Sequence, residues 1–308
     1  MASFLLYTGY FFAVYLALIP LFYMLSAVVP KAAFVARTLT AYIALLASTL
    51  FGVYASVFMR LAGYGHSAQW ATGRSFKYLM AFFTGIEFVL EDPHHVLDTS
   101  RPAVFVGNHQ TELDVLMLGS IFPTHCSMTA KSSLRRTPFL GWFMSLSGTI
   151  FIDRQNSKDA RQAMSGAADE IRKRKQSVYL FPEGTRSYAK EPMLLPFKKG
   201  AFHLAVQAQV PIVPMVVANY SHVLWIKGFK FNAGVIPVKV LDPIPTKGLT
   251  PADVDELTRT VRELMLKELV TLTERARRGN KIAATPFPAH KAANGVAKVT
   301  GVDVKVAA

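Results

Sequence analysis

Two uncharged stretches constrain this chain more than any other feature. No charged side chain occurs from Met1 to Pro30, and a second uncharged run of 22 residues lies between Arg37 and Arg60. At about 1.5 Å rise per helical residue, roughly 20 residues cross a hydrocarbon layer of about 30 Å, so each run is long enough to span a bilayer. The first, which Pro20 can kink, lacks a basic leading segment. It also far exceeds the apolar stretch of a secretory signal, about 7–15 residues. A buried helical hairpin is the other way to hide such surface. The reading adopted is a membrane anchor over residues 1–62, with transmembrane helices at about 3–29 and 38–59.

The remainder is basic. The chain carries a net charge of +14, yet residues 1–60 hold only Lys31, Arg37 and Arg60, so most of the excess follows the apolar region. Such a surface calls for an anionic partner: nucleic acid, a membrane surface or a phosphorylated substrate. Two spans and the lack of a recognition-helix or zinc pattern argue against nucleic acid. Two spans also return the chain to its starting side, where the basic residues favour the cytosolic face. The single cysteine, Cys126, has no intrachain partner, consistent with a reducing compartment.

Between the anchor and residue 100, Phe76, Leu79, Met80, Phe83 and Ile86 repeat at helical spacing beside Arg74 and Lys77. This fits an interfacial amphipathic helix within a 63–99 linker, or equally a helix packed on a protein core. From residue 100 short β-branched runs alternate with helical segments. Strands are expected at Ala103–Gly107, His125–Ala130, Thr149–Ile152, Ser177–Phe181, Ile212–Val217 and Val235–Leu241. Helices are expected at Val115–Ile121, Phe139–Leu146, Lys158–Lys175 and Gly200–Gln207. The alternation implies an α/β layer architecture. A last helix starts at Thr250 and Pro251 and stops near Gly279; residues 280–308 read as a flexible basic tail.

Four blocks carry chemistry. In Gly107-Asn108-His109-Gln110-Thr111-Glu112-Leu113-Asp114 a strand passes into a helix. Five positions along a continuous helix would leave His109 and Asp114 about 140° apart, so they meet only if the chain turns between them. If they meet, Asp114 fixes one tautomer and the free imidazole nitrogen accepts a proton from a substrate hydroxyl. Taken alone, such a pair is more often a surface hydrogen bond or a helix cap than a catalyst. Phe181-Pro182-Glu183-Gly184-Thr185-Arg186-Ser187 is a tight turn presenting Arg186, whose paired N–H groups suit phosphate, although Gly-Thr-Arg alone is more often a β-turn with a solvated charge. Lys131, Leu134, Pro138, Gly141 and Gly148 lead to Phe151-Ile152-Asp153-Arg154, so that Lys131 and Arg154 can converge on one anion or stand as separate surface charges. Pro211-Ile212-Val213-Pro214 enters a strand through proline. No Gly-x-Ser-x-Gly elbow and no His-Glu-x-x-His pattern occurs, and Cys126 falls within a strand, as a small core residue would.

Together and in this order the blocks resemble the 1-acyl-sn-glycerol-3-phosphate acyltransferase family. Asn108, His109 and Asp114 match its Asn-His-x-x-x-x-Asp motif; residues 131–154, 181–187 and 211–214 match the other three. The runs 141–144 and 195–202 look most like the fungal enzymes. The resemblance implies a glycerolipid acyltransferase-like fold, a mixed sheet flanked by helices, over residues 100–279 behind the two-helix transmembrane anchor. It implies acyl transfer from acyl-CoA to the sn-2 hydroxyl of lysophosphatidate, with no cofactor beyond the acyl-CoA co-substrate. His109 would be the base and Asp114 its orienter. Glu183, Gly184, Thr185 and Arg186 would bind the acceptor's glycerol phosphate, with Lys131 and Arg154 assigned to phosphate. Lysophosphatidate, acyl-CoA and the lipid bilayer are the expected partners, at the endoplasmic reticulum or a lipid droplet with the catalytic domain facing the cytosol. The dyad specifies a reaction rather than an acceptor, so another lysophospholipid or glycerol 3-phosphate stays open, as does an inactive membrane scaffold.

Overall fold

The computed structural model describes residues 2–152, 166–169 and 171–282. Both uncharged runs are helical, α1 over Ala2–Leu25 and α2 over Ala32–Leu61, and by length and composition each can cross a membrane. They differ in what covers them. Helix α1 is exposed along almost its whole surface. Helix α2 turns a stripe of small residues, Ala32, Ala36, Thr40, Ala44, Ser48, Gly52 and Ser56, into the protein. Four-residue spacing keeps these on one face. At Gly52 the backbone comes so close to Thr72 and Phe143 that an added Cβ would lie 2.7–2.8 Å from them. The outer face of α2, with Tyr42, Phe51, Tyr54 and Phe58, stays exposed.

The arginines that bound the second uncharged run have structural partners. Arg37 Nη1 donates to the Thr84 carbonyl (2.7 Å), and Arg60 Nη2 to the Leu146 carbonyl (3.1 Å). Each guanidinium thus meets a carbonyl at a helix C-terminus, where positive charge is favoured.

Helix α3 spans Ala68–Thr84 and ends at Gly85, whose φ of 66° is left-handed. Its predicted apolar stripe is divided: Phe76 and Met80 are buried and Leu79 packs partly against the core, while Phe83 is exposed, as are Tyr78 and Phe82. Ile86, read into the same helical repeat, instead opens strand β1 (Ile86–Glu91). The α/β unit therefore begins at Ile86 rather than at residue 100. Helix α4 (Val96–Thr99) follows, then β2 (Val104–Gly107), α5 (Asp114–Ile121), β3 (Cys126–Lys131), α6 (Leu140–Leu146) and β4 (Ile150–Ile152). The expected helix Lys158–Lys175 is described only in part, helical at 166–169 and 171–174, and is α7 here. Next come β5 (Ser177–Leu180), α8 (Gly200–Ala208), β6 (Ile212–Val217), the short pair β7 (Leu224–Trp225) and β8 (Lys230–Phe231), and β9 (Gly234–Val240).

The main sheet has the order β1-β9-β6-β2-β5-β3-β4. Strands β2 to β6 are mutually parallel; β9 pairs antiparallel to β6, and β1 pairs parallel to β9. Period-two alternation gives the sheet two apolar faces. Phe105, Tyr179, Val213, Met215 and Val217 face α3 and α5, where Leu116, Met117 and Ile121 complete one core. Val104, Val106, Val178, Leu180, Ile212 and Val216 face α7, α8 and α9. Helix α9 (Val254–Ile282) follows a capping box between Thr250 and Asp253. It buries Val254, Leu257, Val261, Met265, Leu269 and Leu272, a stripe at three- and four-residue spacing. It runs through Gly279 to Ile282, so the first residues assigned to the tail are helical; 283–308 lie outside the described residues.

Helices α3 and α5 meet through glycines. A Cβ on Gly119 would overlap the Gly73 carbonyl oxygen. Arg74 Nη1 donates to the Gly119 and Ser120 carbonyls (2.7 and 2.5 Å) at the end of α5. Gly119→Ala should cost about 1–3 kcal/mol, as overpacking does. The fall would be read in the thermal midpoint, and Gly9→Ala, whose Cβ has nothing within 4 Å, is the control that should show no loss. Equal midpoints for the two variants would mean that the helices separate at no cost.

Candidate active site

Because β2, β3, β5 and β6 run parallel, the segments following Gly107, Lys131, Leu180 and Val217 leave the same carboxyl edge of the sheet. Open α/β sheets place ligand sites at this edge. Asn108 continues β2 by side chain: its Nδ2 donates to the Val217 carbonyl (3.1 Å) and its Oδ1 accepts from Val217 N–H (2.8 Å). Gln110 Nε2 donates to the carbonyls of Val217 and Ala218 (3.2 and 3.0 Å). The two motif loops are then paired by backbone, Ser187 N–H to His109 carbonyl (3.0 Å) and Tyr188 N–H to Gln110 carbonyl (3.1 Å). Gly107 permits the approach from below, since a Cβ there would run into the Tyr179 hydroxyl.

The chain turns between His109 and Asp114, and the two side chains meet. His109 Nδ1 lies 2.6 Å from Asp114 Oδ2. The same oxygen accepts the N–H groups of Gln110 (2.6 Å) and Thr111 (3.1 Å), while Oδ1 accepts the Tyr220 hydroxyl (2.7 Å). Tyr220 in turn accepts Thr111 N–H (3.1 Å), and burial pushes its phenol well above the usual range, so it stays a donor. A carboxylate facing Nδ1 favours the tautomer with its proton there, and Nε2 is then the ring nitrogen left as an acceptor. The Asp114 side chain is fully buried and that of His109 is 15% exposed. The imidazole stacks on Phe181, centroids 4.0 Å apart and planes 12° from parallel, which fixes its plane as well as its edge.

Glu183 lies inward. It is 3% exposed, and its Oε1 accepts His109 N–H (2.7 Å) while Oε2 accepts Leu195 N–H (2.9 Å). It is thus a brace between three loops rather than an open contact for an acceptor. Burial pushes its carboxyl up to about 7, outweighing the two N–H donors that favour the charged form; Asp114 raises it further and Arg262 opposes.

The residues after Glu183 are more open. Gly184 has φ 71°, and a Cβ would sit 2.9 Å from Lys198 Cε. Thr185 is exposed. Arg186 is half-exposed, its Nη1 3.3 Å from Glu112 Oε1 and 3.4 Å from the Tyr188 hydroxyl. Lys131 lies exposed at the end of β3, on the same sheet edge. Arg154 lies outside the described residues. Burial raises the Cys126 thiol well above its ordinary range, which suits a core residue and not a nucleophile. Gln110, Thr111 and Tyr220 were not singled out by sequence; Tyr220 belongs to no motif and reaches Asp114 only because β6 lies beside β2.

This fold and arrangement define the class. An acyltransferase family model matches residues 86–218, from β1 to just beyond β6. The yeast Saccharomyces cerevisiae 1-acyl-sn-glycerol-3-phosphate acyltransferase is 42% identical over 76% of this chain and 76% of its own. The human beta form of that enzyme is 43% identical over 62% of this chain and 66% of its own. The crystal structure of the LPA acyltransferase PlsC from Thermotoga maritima superposes with a TM-score of 0.64, covering 79% of this chain and 97% of that one, at 22% identity. The chain belongs to the 1-acyl-sn-glycerol-3-phosphate acyltransferase family and is an O-acyltransferase.

The Glu183 brace leaves a signature in stability. Folded, its carboxyl holds a proton up to about pH 7, whereas its ordinary value is 4.5. The folded state therefore binds more protons in that window, and stability falls as pH rises through it, by up to about 3 kcal/mol. Glu183→Gln should flatten the slope in thermal melts taken between about pH 5 and 7. An unchanged slope would assign the effect to another group.

Proposed function

We propose that this O-acyltransferase moves an acyl group from acyl-CoA to the sn-2 hydroxyl of lysophosphatidate, giving phosphatidate and free CoA. The observation that carries the reading is the His109–Asp114 contact, with Nδ1 committed to the buried carboxylate and the ring still partly open to solvent. Nε2 takes the hydroxyl proton as the oxygen attacks the thioester carbonyl. The C–S bond breaks, and the imidazolium returns the proton to the departing CoA thiolate. No acyl-enzyme is required, since an activated hydroxyl can attack a thioester directly.

The acceptor's phosphate is read by Arg186, with Gly184 and Thr185 beside it and Lys131 and Arg154 as further cations. Relatives named for 1-acyl-sn-glycerol-3-phosphate support this acceptor. Acyl-CoA is a co-substrate, and the chemistry needs no resident cofactor. The bilayer is met by α1, by the outer face of α2 and by the outward aromatics of α3, holding the site beside its lipid substrate. The net charge of +14 suits a cytosolic membrane face, at the endoplasmic reticulum or a lipid droplet.

Thiol release from oleoyl-CoA by purified membranes tests this, with lysophosphatidate, lysophosphatidylcholine and glycerol 3-phosphate offered separately. Release should occur with lysophosphatidate and fall about 10²–10⁴-fold in His109→Ala, the usual worth of a positioned base. Release only with another acceptor would change the substrate, and none with any acceptor would leave a scaffold. Arg186→Ala should raise the acceptor KM by about tenfold or more through loss of charge-assisted hydrogen bonds. An unchanged KM with a slower kcat would place Arg186 in transition-state stabilisation instead.

A further inference from the structure

Glu112 sits in the turn between His109 and Asp114, yet its side chain serves neither. Its Oε1 accepts the Tyr188 hydroxyl (2.6 Å) and lies 3.3 Å from Arg186 Nη1. Tyr188 Oη is also 3.4 Å from Arg186 Nη1, so an acid from the first motif and a phenol just after the third close on the guanidinium together. The contact is one-sided. It engages Nη1, while Arg186 Nε is buried and makes no hydrogen bond among the described residues. A guanidinium binds phosphate best through two parallel N–H groups. Glu112 and Tyr188 therefore hold the Nη1 side of the guanidinium, which an incoming anion must win from them, since burial closes off Nε.

The pair is also easy to part. The side chains of Arg186 and Glu112 are 38% and 43% exposed, and such ion pairs are weak, because water screens them and holding two long side chains costs entropy. Asp114 is the other acid acting on Arg186, but both its oxygens are already engaged. Among the described residues, that leaves Glu112 to exchange places with an incoming anion.

We propose that Glu112, held by Tyr188, is a built-in competitor for Arg186: it occupies the guanidinium in the absence of acceptor and must be displaced by the acceptor's phosphate, so it sets how tightly that phosphate binds. The proposal rests on Arg186 reading the phosphate. It makes acceptor affinity a balance between two anions for one cation, weakened by Glu112 and restored when Glu112 loses its charge.

The test uses the full chain purified in detergent, with Glu112→Gln and Tyr188→Phe beside the wild type. Two quantities are measured: acceptor KM for lysophosphatidate, and the inorganic phosphate concentration giving half-maximal thermal stabilisation. Both should fall roughly two- to fivefold in Glu112→Gln, the range an exposed ion pair spans, and by less in Tyr188→Phe. Arg186→Ala should lose the phosphate-dependent stabilisation. Unchanged values in both variants would overturn the proposal, and raised values would overturn it by making Glu112 an aid to Arg186. Phosphate stabilisation is read without turnover. A wild type that fails to acylate lysophosphatidate yet shows the shifts therefore loses the substrate assignment and keeps the competitor. Normal turnover with no shifts does the reverse.

Discussion

The buried carboxylate of Asp114 accepts four hydrogen bonds, from the His109 imidazole, the N–H groups of Gln110 and Thr111, and the Tyr220 hydroxyl. A buried charge is tolerable only when its lone pairs are met by donors. That demand shapes the strand-to-helix turn at residues 108–114, since the two N–H groups must fold back onto the first turn of α5. The same demand recruits Tyr220 from the far side of β2, tying the end of β6 to the site. Asp114 therefore holds both the imidazole edge and the loop that carries it.

Around it the structure repeats one device, in which polar groups satisfy backbone at the ends of elements. Asn108 and Gln110 meet the last carbonyls of β6, and Glu183 meets two N–H groups from different loops. Arg37, Arg60 and Arg74 each meet carbonyls at a helix C-terminus. Motif residues and the arginines of α2 and α3 do the same physical work: they pair backbone groups at the ends of elements. In Arg186 the balance differs, because its partner is an exposed acid that can leave.

Much of the fold was legible as local pattern. Strands β2, β3, β4, β5, β6 and β9 fell where β-branched runs stood between turn residues, within a residue or so at each end. Strand β1 was missed because Ile86 continues the 3.6-residue spacing of α3; only Gly85, left-handed in the fold, ends the helix there. The β7–β8 pair is two residues per strand, below what periodicity detects. The apolar stripe of α3 had two possible partners, lipid or protein, and hydrophobicity alone does not distinguish them.

The sequence by itself determined the two apolar helices, the α/β alternation, the basic surface and the four motif blocks, because each is written in residue type and short-range spacing. Only the tertiary structure decided how these residues are used. Parallel strand order brings Tyr220 to Asp114, the 195 loop buries Glu183, and the pairing of two loops sets Glu112 against Arg186. Those outcomes depend on contacts between residues far apart in sequence, and burial, which turns an outward acid into a brace, is a property of the packed chain alone.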